Sequence, residues 1–221
     1  MEMTDERWRY TNEYSREVFG QQDEHLAGLM TEATAAGLPD IAVSADVGRL
    51  LMMLTSMTRA RLALELGTLG GYSGIWIARG LAQGGRLITI EREPNHAAFA
   101  QRQFERAAVA DRVEIRVGAA LEVLPRLAGE LGPGSVDVVF IDAEKTEYCE
   151  YWESVRPLVA VGGVVLADNV LGTGSEWIDQ QDQPQPRAVD RFNRLVAGDD
   201  AFEAVAVPLR QGVLFARRSA I

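Results

Sequence analysis

The spacing of apolar positions changes character once along the chain. From residue 4 to residue 36 apolar side chains are sparse, and Val18, Leu26, Leu29 and Met30 fall at helical intervals, so this stretch is predicted to be helical. Residues 38–43, with Pro39, predict a linker. Ser44 or Asp46 can cap a helix over residues 47–57, where Leu50, Leu51, Leu54 and Met57 recur at helical spacing. Beyond residue 60, short apolar runs alternate with helical stretches. Strands are expected at 62–66, 86–90, 113–117, 136–141 and 163–167, and helices at 72–82, 94–108, 121–131 and 147–158. Apolar strands separated by helices predict a parallel sheet covered on both faces. The last segments break that rhythm: 202–207 and 213–217 read as two strands joined by residues 208–212, a hairpin that needs at least one antiparallel strand. Residues 171–187, with Gly172, Gly174, Pro184 and Pro186, predict one long irregular loop, of a length usually functional or disordered.

Composition narrows the partners. A chain of 221 residues can bury a substantial core. Its formal net charge of −10 provides no global field to attract a nucleic-acid backbone, so binding to nucleic acid is not expected. The single cysteine, Cys149, can form neither an internal disulfide nor a cysteine-rich metal site, which fits a reducing compartment. Residues 1–22 lack the apolar core of a signal peptide, and no run approaches the roughly 18 apolar residues of a membrane span. The expectation is a cytoplasmic protein without membrane association. His25, His96 and Cys149 read as surface or packing residues, Trp76 and Trp152 as core or interface, and Trp177 as a possible wall for an aromatic ligand.

The first strand runs into Leu64-Glu65-Leu66-Gly67-Thr68-Leu69-Gly70-Gly71-Tyr72-Ser73-Gly74. Glycines let the backbone turn sharply against a ligand, and the helix behind them presents free N–H groups. A tight strand-to-helix turn with no ligand is the alternative reading of the glycines. Two details favour a particular ligand. Leu69 stands where the dinucleotide fingerprint has its second glycine, and Glu65 places an acid inside the strand end, where it would repel a pyrophosphate. The acid suits a ligand carrying ammonium and sulfonium charge, as S-adenosylmethionine does. Glu91 closes the second strand, where a carboxylate can accept ribose hydroxyls, and Gly118-Ala119-Ala120 leaves room for a flat base.

Strand four ends in Phe140-Ile141-Asp142-Ala143-Glu144-Lys145 and strand five in Leu166-Ala167-Asp168-Asn169. Ligands of open parallel sheets sit at these carboxyl ends, so Asp142, Asp168 and Asn169 can converge. Three oxygen donors without His or Cys suit a hard cation: Mg²⁺ foremost, with Ca²⁺ or Mn²⁺ as alternatives. Lys145, beside such a cation, is expected to have a lowered pKa and to act as a base.

These blocks, together with Arg191-Phe192-Asn193, resemble the cation-dependent O-methyltransferases related to the caffeoyl-CoA and catechol enzymes, in particular their small bacterial members, over about residues 41–218. The resemblance implies a Rossmann-like α/β fold of class I methyltransferase type. It comprises a seven-stranded, mostly parallel sheet, an antiparallel C-terminal hairpin and N-terminal helices. One domain spanning 1–221 is expected, with residues 1–45 as a helical cap and 171–187 as a variable substrate loop. The cofactor is expected at Glu65, Gly67, Thr68, Ser73, Glu91, Ala120, Asp142 and Glu144, and the metal at Asp142, Asp168 and Asn169. Lys145 and Asp142 would be catalytic. The implied substrate is a small catechol-like or other vicinal diol, and the implied assembly a homodimer. Methylation of a hydroxylated tRNA base and an NAD-dependent oxidoreductase are the alternatives carried forward.

Overall fold

A computed structural model describes residues 4–219; the two ends of the expected 1–221 domain, residues 1–3 and 220–221, lie outside the described residues. Three helices come first: α1 (Asp5–Phe19), α2 (Glu24–Ala35) and α3 (Ala45–Met57). The single helical stretch expected over 4–36 is broken at residues 20–23. Gly20 closes α1 by donating its N–H to the Arg16 carbonyl, and Asp23 opens α2 by accepting from the Leu26 N–H at 2.9 Å. Two cap signals in succession end one helix and begin another. Helix α1 buries none of its residues, so Val18 is surface rather than core, whereas Leu26 and Leu29 of α2 are fully covered. Ser44 occupies the N-cap position of α3 without a side-chain capping bond.

The alternating section follows the expected order. It runs β1 (Leu62–Leu66), α4 (Tyr72–Gly80), β2 (Arg86–Glu91), α5 (Pro94–Arg106), β3 (Val113–Val117), α6 (Ala120–Leu131), β4 (Val136–Ile141), α7 (Tyr148–Val155) and β5 (Val159–Asp168). Helix α7 is shorter than expected because 3₁₀ turns occupy 145–147 and 156–158. Strand β5 begins four residues early; its pairing with β4 shifts register between Val136 and Val138, around Gly162 and Gly163. The 171–187 stretch is less irregular than its glycines and prolines suggest. It holds a miniature hairpin, β6 (Gly172–Thr173) and β7 (Glu176–Trp177), and then the start of α8 (Pro184–Ala197). Pro184 stands in the first turn of α8, where a missing N–H costs nothing, so this proline opens a helix rather than breaking one. Strands β8 (Phe202–Val207) and β9 (Val213–Arg218) complete the chain.

The seven long strands form one sheet in the order β3-β2-β1-β4-β5-β9-β8. β1 to β5 pair in parallel, β9 is antiparallel to β5, and β8 is antiparallel to β9. This is the mostly parallel sheet with a C-terminal hairpin expected from the sequence. Its two faces bury separate apolar layers. Leu62, Leu64 and Leu66 of β1 face α6, α7 and α8, while Ala63 faces α2, α4 and α5. Glu65 shares the pleat face of Ala63, so it is a carboxylate in a core position. The strand order reverses at β1 and β4, and in open α/β sheets the crevice at such a reversal receives ligands.

Trp152 anchors the layer under α6, α7 and α8, with its ring 4.7 Å from that of Phe202 and 6.4 Å from that of Phe192. Replacing this fully buried ring by alanine is expected to cost about 3–5 kcal/mol of folding stability, measured by urea denaturation. A loss below 1 kcal/mol would show that the layer does not depend on it.

Candidate active site

A cleft of about 640 Å³ opens at the carboxyl ends of β1, β2, β4 and β5. Its floor is the turn after β1. Gly67 has φ +96°, and a side chain there would lie 2.1 Å from the Asp142 carbonyl oxygen, so only glycine lets the turn pass under β4. Leu69 also adopts a left-handed φ of 47°. The turn is held from β2: Glu91 Oε2 accepts the Thr68 and Leu69 N–H groups at 3.2 and 2.7 Å, and Oε1 accepts the Glu93 N–H at 2.9 Å. Glu91 therefore shapes the turn as well as facing the cleft. His96 is also drawn in: its Nδ1 lies 3.6 Å from Glu91 Oε1, which corrects the surface reading of this histidine. His25 too is only half-exposed, with a buried Nε2.

Glu65 lies beneath the turn with no exposure. Its Oε2 accepts the Thr89 hydroxyl at 2.7 Å, and the Thr68 and Thr89 hydroxyls are 2.5 Å apart. Oε1 is buried and has no hydrogen-bond partner. Burial raises this carboxyl to about 7; hydroxyls of Ser73 and Thr89 oppose the shift, and the charges of Asp142 and Glu91 add to it. A buried, partnerless carboxylate oxygen below a glycine turn fits a cationic ligand better than a pyrophosphate.

Asp142 and Lys145 form an ion pair at 2.8 Å, and Lys145 Nζ donates also to the Tyr148 hydroxyl at 2.6 Å. That hydroxyl donates in turn to the Asp168 carbonyl at 3.0 Å. Among the chain's own groups, burial acts to lower the Lys145 pKa, but the neighbouring charges, Asp142 foremost, outweigh it and hold the ammonium above its ordinary range. Asp168 is fully buried, with Oδ1 unpartnered and Oδ2 accepting from the Arg210 guanidinium at 3.0 Å. Burial, then the charge of Asp142, push its carboxyl up, against the pull of Arg210 and Lys145. Asn169 takes a left-handed φ of 62° and donates its amide to Gln211 Oε1 at 3.1 Å.

The expected residues thus meet in one place. Gly67, Thr68, Ser73, Glu91, Ala120, Asp142, Glu144, Lys145 and Asn169 line the cleft, with Glu65 and Asp168 immediately behind it. Among the described residues no cluster of three or more His, Cys, Asp and Glu side chains could hold a metal; the candidate set is two aspartates and an asparagine. Arg210 and Gln211, on the turn between β8 and β9, escaped the sequence reading; a charged residue in a hairpin turn carries no signal of what it faces. Trp177 does not line the cleft: its ring meets Trp8 of α1 edge-on at 6.1 Å.

The O-methyltransferase family model matches residues 14–219. The chain belongs to the O-methyltransferase family. Its activity is accordingly that of an S-adenosylmethionine-dependent O-methyltransferase. Among relatives, the catechol O-methyltransferase of Niastella koreensis is 37% identical over 207 residues, covering 94% of this chain and 93% of that one. The catechol O-methyltransferase of Mycobacterium tuberculosis is 41% identical over 185 residues, or 84% and 82% of the two chains. The crystal structure of the Bacillus cereus O-methyltransferase with S-adenosylhomocysteine superposes with a TM-score of 0.87 at 35% identity, covering 97% of this chain and 99% of that one. Among the described residues no helix is long and apolar enough to cross a membrane.

The raised pKa of Glu65 makes a signed prediction. A carboxyl that ionises only near pH 7 in the fold, but near 4.5 when exposed, destabilises the ligand-free protein progressively as pH rises between these values. Glu65→Gln should therefore gain stability relative to the parent from pH 5 to pH 8, by about 3 kcal/mol at most. Denaturation curves at the two pH values test this; a constant difference would contradict it.

Proposed function

We propose that this methyltransferase acts on one hydroxyl of a catechol-like vicinal diol and holds a divalent cation, Mg²⁺ foremost, between Asp142, Asp168 and Asn169. The observation that carries the proposal is the donor set. Asp168 Oδ1 is buried and unpartnered, Asp142 borders the cleft, and Asn169 commits its amide nitrogen to Gln211, which leaves its oxygen as the donor atom. Oxygen donors of this kind fit a hard cation. When bound, the cation would supply Lewis acidity and a template for two neighbouring substrate oxygens.

The remaining work falls to the chain. The turn at Gly67 and Thr68, with Ser73, Ala120 and Glu144, forms the cofactor's seat, and Glu91 presents carboxylate oxygens to its ribose. Glu65 contributes negative charge beneath the positively charged end of the cofactor. Lys145 meets the acceptor oxygen as an ammonium, so the hydroxyl proton leaves to solvent through the open cleft rather than to Nζ. Paired with Asp142 and Tyr148 it holds its proton at Nζ, so its first contribution is an N–H donated toward developing oxyanion charge. Holding donor and acceptor in line supplies much of the rate.

The acceptor end is framed by Thr173 and Gly174 of the 171–187 segment and by Arg210 and Gln211. The two catechol O-methyltransferases among the relatives support a small aromatic diol as substrate. Neither the tRNA nor the oxidoreductase alternative gains support from the family or these relatives.

Asp168→Ala should lower kcat on a catechol at saturating Mg²⁺ by about 100-fold or more, since even an outer-shell partner of a metal ligand is typically worth about 10–100-fold. EDTA should abolish turnover of the parent, and added Mg²⁺ should restore it. Full activity of the variant in EDTA would overturn the metal reading.

A further inference from the structure

Each of the two candidate metal carboxylates already carries an internal cation. Asp142 pairs with Lys145, and Asp168 pairs with Arg210 at 3.0 Å. The second pair is the unusual one. Asp168 is completely buried at the end of β5, whereas Arg210 comes from the turn between β8 and β9, 42 residues further along the chain, and its side chain remains 30% exposed at the cleft. This placement is built into the backbone. Arg210 has a left-handed φ of 54°, and its N–H donates to Asn12 Oδ1 of α1 at 3.0 Å. The next residue, Gln211, accepts from Asn169 Nδ2 and donates to the Gly174 carbonyl at 2.8 Å. Consecutive residues of one turn therefore hold the two consecutive candidate ligands at the end of β5, Asp168 and Asn169.

We infer that Arg210 is the resident counter-ion of Asp168 and opposes the divalent cation there, setting how tightly this enzyme binds its metal. The inference rests on the metal reading above. A buried carboxylate without a cation is costly, so Arg210 stabilises the metal-free fold. Its positive charge next to the ligand also repels a dication and engages one of the two oxygens the dication could use. A residue that favours the metal-free state over the metal-bound state must lower metal affinity by the same coupling. Arg210 therefore makes the metal exchangeable rather than permanently held. Arg210 is a positioning residue, acting through Asp168.

The test titrates Mn²⁺ into the S-adenosylhomocysteine complex of the parent, Arg210→Gln and Arg210→Lys, reading free Mn²⁺ by electron paramagnetic resonance. Melting temperatures are measured in parallel in EDTA and in Mn²⁺. Arg210→Gln should bind Mn²⁺ about tenfold more tightly, a typical coupling for two linked ligands. The same variant should melt below the parent in EDTA and gain more from Mn²⁺. Arg210→Lys, which keeps the charge, should stay near the parent in affinity. A merely structural role would weaken metal binding and stability together. Unchanged or weaker Mn²⁺ binding by a folded Arg210→Gln overturns this inference alone. Failure of the parent to bind Mn²⁺ at all overturns the metal reading and this inference with it.

Discussion

Four carboxylates, Glu65, Glu91, Asp142 and Asp168, crowd the carboxyl edge of one sheet, where burial removes the water that would otherwise solvate them. Each needs compensation, and each receives a different kind. Glu91 takes three backbone N–H groups, two of them from the glycine turn. Asp142 takes the ammonium of Lys145, and Asp168 the guanidinium of Arg210. Glu65 receives hydroxyls but no cation, keeps one oxygen unpartnered and is correspondingly hard to ionise. The unmet negative potential of this edge suits a sulfonium cofactor and would suit the hard cation proposed above.

The same constraint explains several local features. Gly67 is required because the turn passes against the Asp142 carbonyl, and that close pass brings the glycine turn and the end of β4 together at the cleft. Tyr148 is buried because its hydroxyl links Lys145 to the backbone of both β4 and β5, with the Ile141 carbonyl at 3.3 Å and that of Asp168 at 3.0 Å. Helix α1 buries no residue, yet it reaches the site through Asn12 to the Arg210 backbone, and its Trp8 packs on Trp177 outside the cleft. The N-terminal segment and the last hairpin thus meet at Arg210, on the rim of the cleft.

Much of this was legible in the sequence because strand ends are. Glu65, Glu91, Asp142 and Asp168-Asn169 each end or follow an apolar run, and a parallel sheet must bring such ends to one edge. The C-terminal hairpin was legible because its two runs are separated by Pro208 and Gly212. What escaped depends on tertiary contacts that periodicity does not carry. Arg210 and Gln211 lie in a turn whose direction is set by β9 pairing antiparallel to β5. The prolines at 184 and 186 look like loop residues until Pro184 is seen in the first turn of α8. The contact of Lys145 with the Tyr148 hydroxyl, which joins it to the ends of both β4 and β5, is likewise a tertiary feature that spacing does not carry.

The central claim is that the acidic edge holds a divalent cation between β4 and β5, alongside the cofactor. Crystals grown with S-adenosylhomocysteine, Mn²⁺ and a catechol test it through an anomalous difference map at the manganese edge. The account predicts one strong peak within coordination distance of Asp142, Asp168 and Asn169, with both catechol oxygens bound to it. A cofactor-filled cleft with no anomalous peak there, and the Asp168–Arg210 pair intact beside an ordered catechol, would contradict it.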